Sequence, residues 1–285
     1  MRLVWFRNDL RCHGHTPLTQ ALAGGDAVMA LHILCPDQWD AHGVAPARRW
    51  FVLHSLLELG ESLAARGVDL HVLDGGDFDG SVTALENFVA EQGVTEVFCN
   101  REYPLNELNR DRAVARRLEA QGVRIHGFDD GVLVPPRALH TGKGTPYTVF
   151  TAYKKRWDVW MDDLQPEAVP APDWPGGQGR FVGRDRVERA LETLSVPDSV
   201  TALWHPGEDA ARGLLAFPSK ILFLALTTPL SGRLQSAAGL SRRARHQRPV
   251  RGAVGGHAGA AGRLPRGAAG AAGRQGPGGR GHLDR

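Results

Sequence analysis

Short apolar runs separated by longer amphipathic segments and single glycines constrain this chain more than any other feature. The runs lie at 3–6, 27–35, 69–73, 94–100 and 123–128. They are continuous, as strands covered on both faces are; a half-exposed strand would alternate apolar and polar residues. Between them lie segments 17–23, 46–65, 79–92 and 104–121. Each begins near Pro, Asp or a comparable helix-start residue. In the second, Trp50, Leu53, Leu57 and Leu63 mark an apolar helical stripe. Gly67, Gly93 and Gly122 each stand just before a strand. Strand, helix and strand repeated in this way mean right-handed βαβ units. The sequence therefore predicts an α/β fold with a doubly wound, Rossmann-like, five-stranded parallel sheet. Its ligand is expected beyond the C-terminal ends of the strands.

This pattern defines a first domain over residues 1–165. Its last segment, 148–164, is aromatic and basic, and its spacing suits a helix whose apolar residues belong to a core. A Pro- and Gly-rich stretch follows, so residues 166–217 read as a linker with short helices near 184–194 and 206–217. The character then changes. From 210 to 283 there is no Asp or Glu, and residues 241–285 hold 12 Gly, 10 Arg and 9 Ala with no aromatic residue. Residues 218–285 cannot bury enough apolar surface to offset their ordering entropy and are expected to be disordered.

Charge divides at the same place. The net charge is +3, but residues 1–209 carry 21 Lys and Arg against 30 Asp and Glu. Residues 210–285 carry 13 basic residues against Asp284 alone. The basic character thus belongs to the tail, which is expected to bind nucleic acid non-specifically and in a salt-dependent way. Cys12, Cys35 and Cys99 fit no metal or CxxC spacing, and Cys35 and Cys99 sit in apolar runs as buried thiols would. The N-terminus lacks the apolar core of a signal peptide, and no run is long enough to span a membrane. A cytoplasmic monomer without membrane attachment is expected.

Several stretches carry a resemblance. Residues 5–11 read WFRNDLR at the end of the first strand, where Arg7, Asp9 and Arg11 can tie a loop by charge-assisted bonds. Residues 30–49, 100–111 (NREYPLNELNRD) and 128–136 follow in order, and 146–150 with Trp157 closes the series. Together these resemble the N-terminal α/β antenna domain of the DNA photolyase and cryptochrome family. The match is good over residues 2–165 and weak near 206–211. It departs at 12–15, where His13 and His15 flank Gly14. Two histidines with no third ligand in the sequence read as a loop rather than a metal site.

The resemblance implies a folate-type class I deoxyribodipyrimidine photolyase, with methenyltetrahydrofolate as antenna. The matching positions are His42, Asn106 and Glu107. A carboxylate can accept from the pterin's amino and ring N–H groups, and an Asn can both donate and accept. Read without the resemblance, Asn106 and Glu107 are helix N-terminal residues, with Glu107 favoured by the helix dipole. Residues 142–144 (GKG) lack the full phosphate-loop spacing and read as a turn.

The resemblance further implies FAD, which is held in a second, helical domain and repairs pyrimidine dimers in damaged DNA. No motif of that domain stands in residues 218–285, so no catalytic residue is assigned and no repair by this chain alone is expected. A frameshift near residues 216–230 of a GC-rich gene would account for the tail. Folate copurification is expected to be weak or absent, because one wall of the pocket would be missing. Two further readings remain open: a cryptochrome-type photoreceptor fragment, and a free-standing nucleotide- or folate-binding α/β module.

Overall fold

The computed structural model describes residues 1–136, 138–164 and 169–216. The expected disordered tail and the postulated frame change beyond 216 lie outside the described residues.

The chain runs β1 (Arg2–Phe6), α1 (Thr16–Leu22), β2 (Val28–Leu34), α2 (Pro36–Ala41), α3 (Pro46–Ala64) and β3 (Asp69–Asp74). It continues through α4 (Phe78–Gln92), β4 (Glu96–Asn100), α5 (Leu105–Ala120), β5 (Arg124–Phe128) and α6 (Phe150–Leu164). Last come β6 (Phe181–Val182), α7 (Arg184–Glu192), α8 (Asp198–Thr201) and α9 (Glu208–Ala216). The sheet order is β5-β4-β1-β2-β3-β6, and every pairing is parallel. The chain starts in the middle, steps outward to β3, then returns to the far side of β1. That reversal lies between β1 and β4 and makes the doubly wound switch point.

The continuous apolar runs are explained by two cores. Val4, Phe6, Ala30 and Leu34 point to one face, where they meet Leu18 of α1 and Leu53, Leu56, Leu59 and Leu63 of α3. Leu3, Trp5, Leu31 and Ile33 point to the other, against Val82, Leu85 and Val89 of α4 and Val114 and Leu118 of α5. The period of two is intact, and both phases are buried. Helix α4 starts on Asp77, whose carboxylate accepts from the Gly80 N–H at 2.7 Å, and stops at Gly93 in the left-handed conformation.

Three expectations are corrected. The sheet has six strands, because Phe181 and Val182 pair with Leu70 and His71 at the edge. Arg180 fastens this strand with two bonds to Asp69 Oδ2, at 2.7 and 3.0 Å. A two-residue strand is too short to show as an apolar run. Phe181 also lies directly over α3 at Gly60, where a Cβ would come within 2.4 Å of its ring. The second is α2, which forms between β2 and α3, where no helix is expected from the sequence. Pro36 opens it and six residues complete it. Third, α6 forms with its expected spacing but buries no residue, and Phe150 is 75% exposed. Its apolar residues are therefore not core of the described fold.

Cys12, Cys35 and Cys99 are free and buried. Among the described residues no helix is long and apolar enough to cross a membrane.

Candidate ligand-binding cavity

The loop after β1 is held by a buried polar knot. Asp9 accepts from the Arg7 backbone N–H at 2.9 Å, from His15 Nε2 at 2.8 Å and from Asn100 Nδ2 at 2.7 Å. Burial works against the Asp9 charge, but the hydrogen bonds from His15 and from the Arg7 N–H, with the Arg7 charge, hold the carboxyl well below the usual carboxylate range. His15 Nδ1 accepts from the Leu18 N–H at 3.1 Å and so caps α1. Both ring nitrogens of His15 are thereby used within the protein. No cluster of metal ligands occurs among the described residues. Glu208, at the start of α9, accepts from the Cys12 and His13 N–H groups at 2.7 and 3.0 Å and ties the loop from the other side.

A second knot links β1 to α5. Arg110 donates to Glu102 at 2.6 Å and to Asp111 at 2.8 Å, while Arg7 reaches Asp111 at 3.4 Å. Burial disfavours the Glu102 charge, but the Arg7 and Arg110 guanidiniums outweigh it and lower its pKa. The two guanidiniums flank the indole of Trp5, at 4.3 and 4.9 Å from the ring centroid.

Above these knots, over the C-terminal ends of β1 and β2, lies a cavity of about 350 Å³. Its deep part is lined by the buried Arg7, His32, Ile33, Cys35 and Arg110. Burial pushes the Cys35 thiol up to about 11, so it is protonated and unreactive at neutral pH. Trp39 and Phe78 add aromatic walls, and Arg49 stands at the side, paired with Asp40 at 2.6 Å.

The structure brings His42, Asn106 and Glu107 together on this cavity. His42 caps the C-terminal end of α2, and Asn106 and Glu107 lie in the first turn of α5. Asn106 Nδ2 donates to His42 Nε2 at 3.3 Å across the rim, so residues 64 apart in sequence meet there. The helix-terminus reading of Asn106 and Glu107 is also satisfied by this geometry, since one position serves both roles. Gly142, Lys143 and Gly144 sit in a turn closed by a Gly144 N–H bond to Thr141 O, away from the cavity lining.

Sequence reasoning missed the floor. His32 is the one ionisable residue in the otherwise apolar run VMALHIL. A lone polar residue at the C-terminal end of a parallel strand was the available signal. Arg110 had none, because on a helix rich in arginine its burial cannot be told from composition.

A parallel sheet with a mixed polar and aromatic cavity over its strand ends defines a doubly wound α/β domain. Residues 2–173 match the profile of the DNA photolyase family. The chain belongs to that family, and the matched region is its N-terminal α/β domain. It is 35% identical over 206 residues to a deoxyribodipyrimidine photo-lyase of Vibrio cholerae, covering 72% of this chain and 40% of the relative. The corresponding protein of Escherichia coli is 39% identical over 171 residues, covering 60% of this chain and 36% of the relative. Cryptochrome-2 of Arabidopsis thaliana is 29% identical over 226 residues, covering 75% and 35%. The crystal structure of a bacterial class III photolyase from Agrobacterium tumefaciens superposes with a TM-score of 0.59 at 24% identity, covering 75% of this chain and 43% of that one. The chain thus spans well under half the length of the relatives it matches.

Proposed function

We propose that the cavity is an antenna-chromophore site of the methenyltetrahydrofolate type, in a photolyase-lineage protein. The observation that carries this reading is the meeting of His42, Asn106 and Glu107 on one cavity over the strand ends. The lining suits a pterin. A space of about 350 Å³ admits its bicyclic ring and part of the attached chain, with Trp39 and Phe78 as stacking surfaces. Glu107 accepts from the exocyclic amino group at the rim, and Asn106 offers a donor and an acceptor beside it. His42 holds Asn106 in place. When bound, the folate would supply absorption of near-ultraviolet and blue light for transfer to a flavin.

On this reading residues 1–165, extended by β6 and α7, form the antenna domain, and residues up to 217 connect onward. By kinship with the photo-lyases the proposal extends to FAD and damaged DNA, and it keeps a cytoplasmic monomer as its own reading; no residue of this chain is assigned to them.

The test is binding of methenyltetrahydrofolate to the full chain, followed by the red shift of its near-ultraviolet band. Glu107→Gln is expected to weaken binding about tenfold, the scale of one lost charge-assisted hydrogen bond. Equal affinity in wild type and variant, or no binding by either, would overturn the assignment.

A further inference from the structure

The floor of the cavity carries a group that the folate reading does not use. His32 lies near the end of β2, 5% exposed, and lines the cavity. Its Nδ1 is 3.1 Å from the carbonyl oxygen of Phe6, its register partner on β1. A carbonyl oxygen only accepts, so Nδ1 carries the hydrogen and Nε2 presents a lone pair. Among the described residues Nε2 has no partner. A second proton is opposed by burial, which draws the imidazole down to about 4, and by the Arg110 guanidinium nearby. The floor therefore offers a fixed acceptor among groups that otherwise donate or are already paired: Arg7 and Arg110 donate, and the Cys35 thiol is engaged with Ile33 O.

We propose that His32 is a specificity-determining residue of this cavity, accepting a hydrogen bond at Nε2 from the cyclic-amide N–H of a flat heterocycle. This rests on the cavity being a chromophore site but not on which ring fills it. Pterins and isoalloxazines both present such an N–H, flanked by carbonyl or amino groups. A ligand that buries this acceptor without a donor leaves it unsatisfied, so the site discriminates by the penalty as well as by the bond.

Two ring pairs test this on the full chain: pterin with 3-methylpterin, and lumiflavin with 3-methyllumiflavin. Methylation at N3 removes the donor and changes little else. Wild type is expected to bind the unmethylated member of the accepted pair at least tenfold more tightly. In His32→Phe, a flat replacement without an acceptor, that preference should vanish. In Glu107→Gln it should persist, which separates the floor from the rim. A thermal melt of His32→Phe with wild-type cooperativity, together with retained binding of the methylated ring, shows that its fold is intact. If pterin binds with an N3 preference that survives His32→Phe, the His32 assignment fails and the folate reading stands. If only the flavin pair binds, with a His32-dependent preference, the folate reading fails and the His32 assignment stands. Binding of neither pair to wild type overturns both.

Discussion

The floor and the rim of the cavity are built on opposite principles. The floor is made of charged and polar groups removed from water and locked by partners on β4, on α5 and in the loops after β1 and β4. Arg7 and Arg110 answer to Glu102 and Asp111, and Asp9 answers to His15 and Asn100. The rim is made of His42 and Asn106, both exposed, joined by one bond of 3.3 Å. Changing a floor residue should therefore damage the fold first and the ligand second. At the rim the order should reverse, because little but the ligand depends on those side chains.

The sharpest way to break this comparison is Asp9→Ala. The substitution strands three donors, the Arg7 N–H, His15 Nε2–H and Asn100 Nδ2–H, in a buried place. Removing one partner from a buried, charge-assisted knot costs about 3–5 kcal/mol. Denaturant unfolding of the chain should show that loss, if the knot is as central as its bonds indicate. A loss under about 1 kcal/mol would mean that water replaces Asp9 readily and that the floor is no more rigid than the rim.

The floor should also show itself in acid. His32 has its folded pKa drawn from 6.5 to about 4 by burial, so the unfolded chain binds the proton first. Its contribution is complete above pH 6.5 and is lost as pH falls towards 4, to a total of about 3 kcal/mol. His54 and His71, also lowered by burial, act in the same sense. Asp9 and Glu102 are depressed carboxylates; their contribution is present above their unfolded values near 4 and is lost only below that. Stability should fall in two stages, and His32→Phe should flatten the upper one. An unchanged slope between pH 6.5 and 4 in that variant would remove His32 from the account.

The same contrast governs what could be read from the sequence. The strands and the helices between them were legible because burial on both faces writes continuous apolar runs, and because Asp77 and Gly93 mark helix ends by local chemistry. The rim residues were legible only through resemblance, for nothing in the composition of residues 104–107 separates a ligand contact from a helix start. Residues 5–11 announced a tied loop, but not that Asp9 would reach His15 and Asn100, since those partners come from tertiary pairing. The sixth strand was hidden because it depends on Asp69 catching Arg180 across 111 positions. The misreading of α6 as core has the complementary cause. Helical spacing of apolar residues establishes that a helix has an apolar face, not what covers it.

At the rim, Glu107→Gln should reduce folate affinity about tenfold while costing less than about 1 kcal/mol of stability, the scale of one charge at a helix N-terminus. A fall in stability comparable to the fall in binding would show that Glu107 is part of the scaffold.

The smallest expected effect is that of Asn106→Ala. Asn106 is exposed, and its one described bond runs to His42. Its removal should cost no more than about 0.5 kcal/mol of stability, the range of ordinary surface substitutions. Folate binding should nevertheless weaken several-fold. The variant loses a direct partner for the pterin, worth about 1 kcal/mol for a neutral bond, and it frees His42 to turn away from the rim. The two contributions can be separated by comparison with His42→Ala. If Asn106 touches the ligand and His42 only holds it, the double variant should bind no more weakly than Asn106→Ala alone, because removing a support is without effect once the supported group is gone. Additive losses would instead place His42 against the ligand in its own right. In that case the rim would be two independent contacts rather than one contact and its brace.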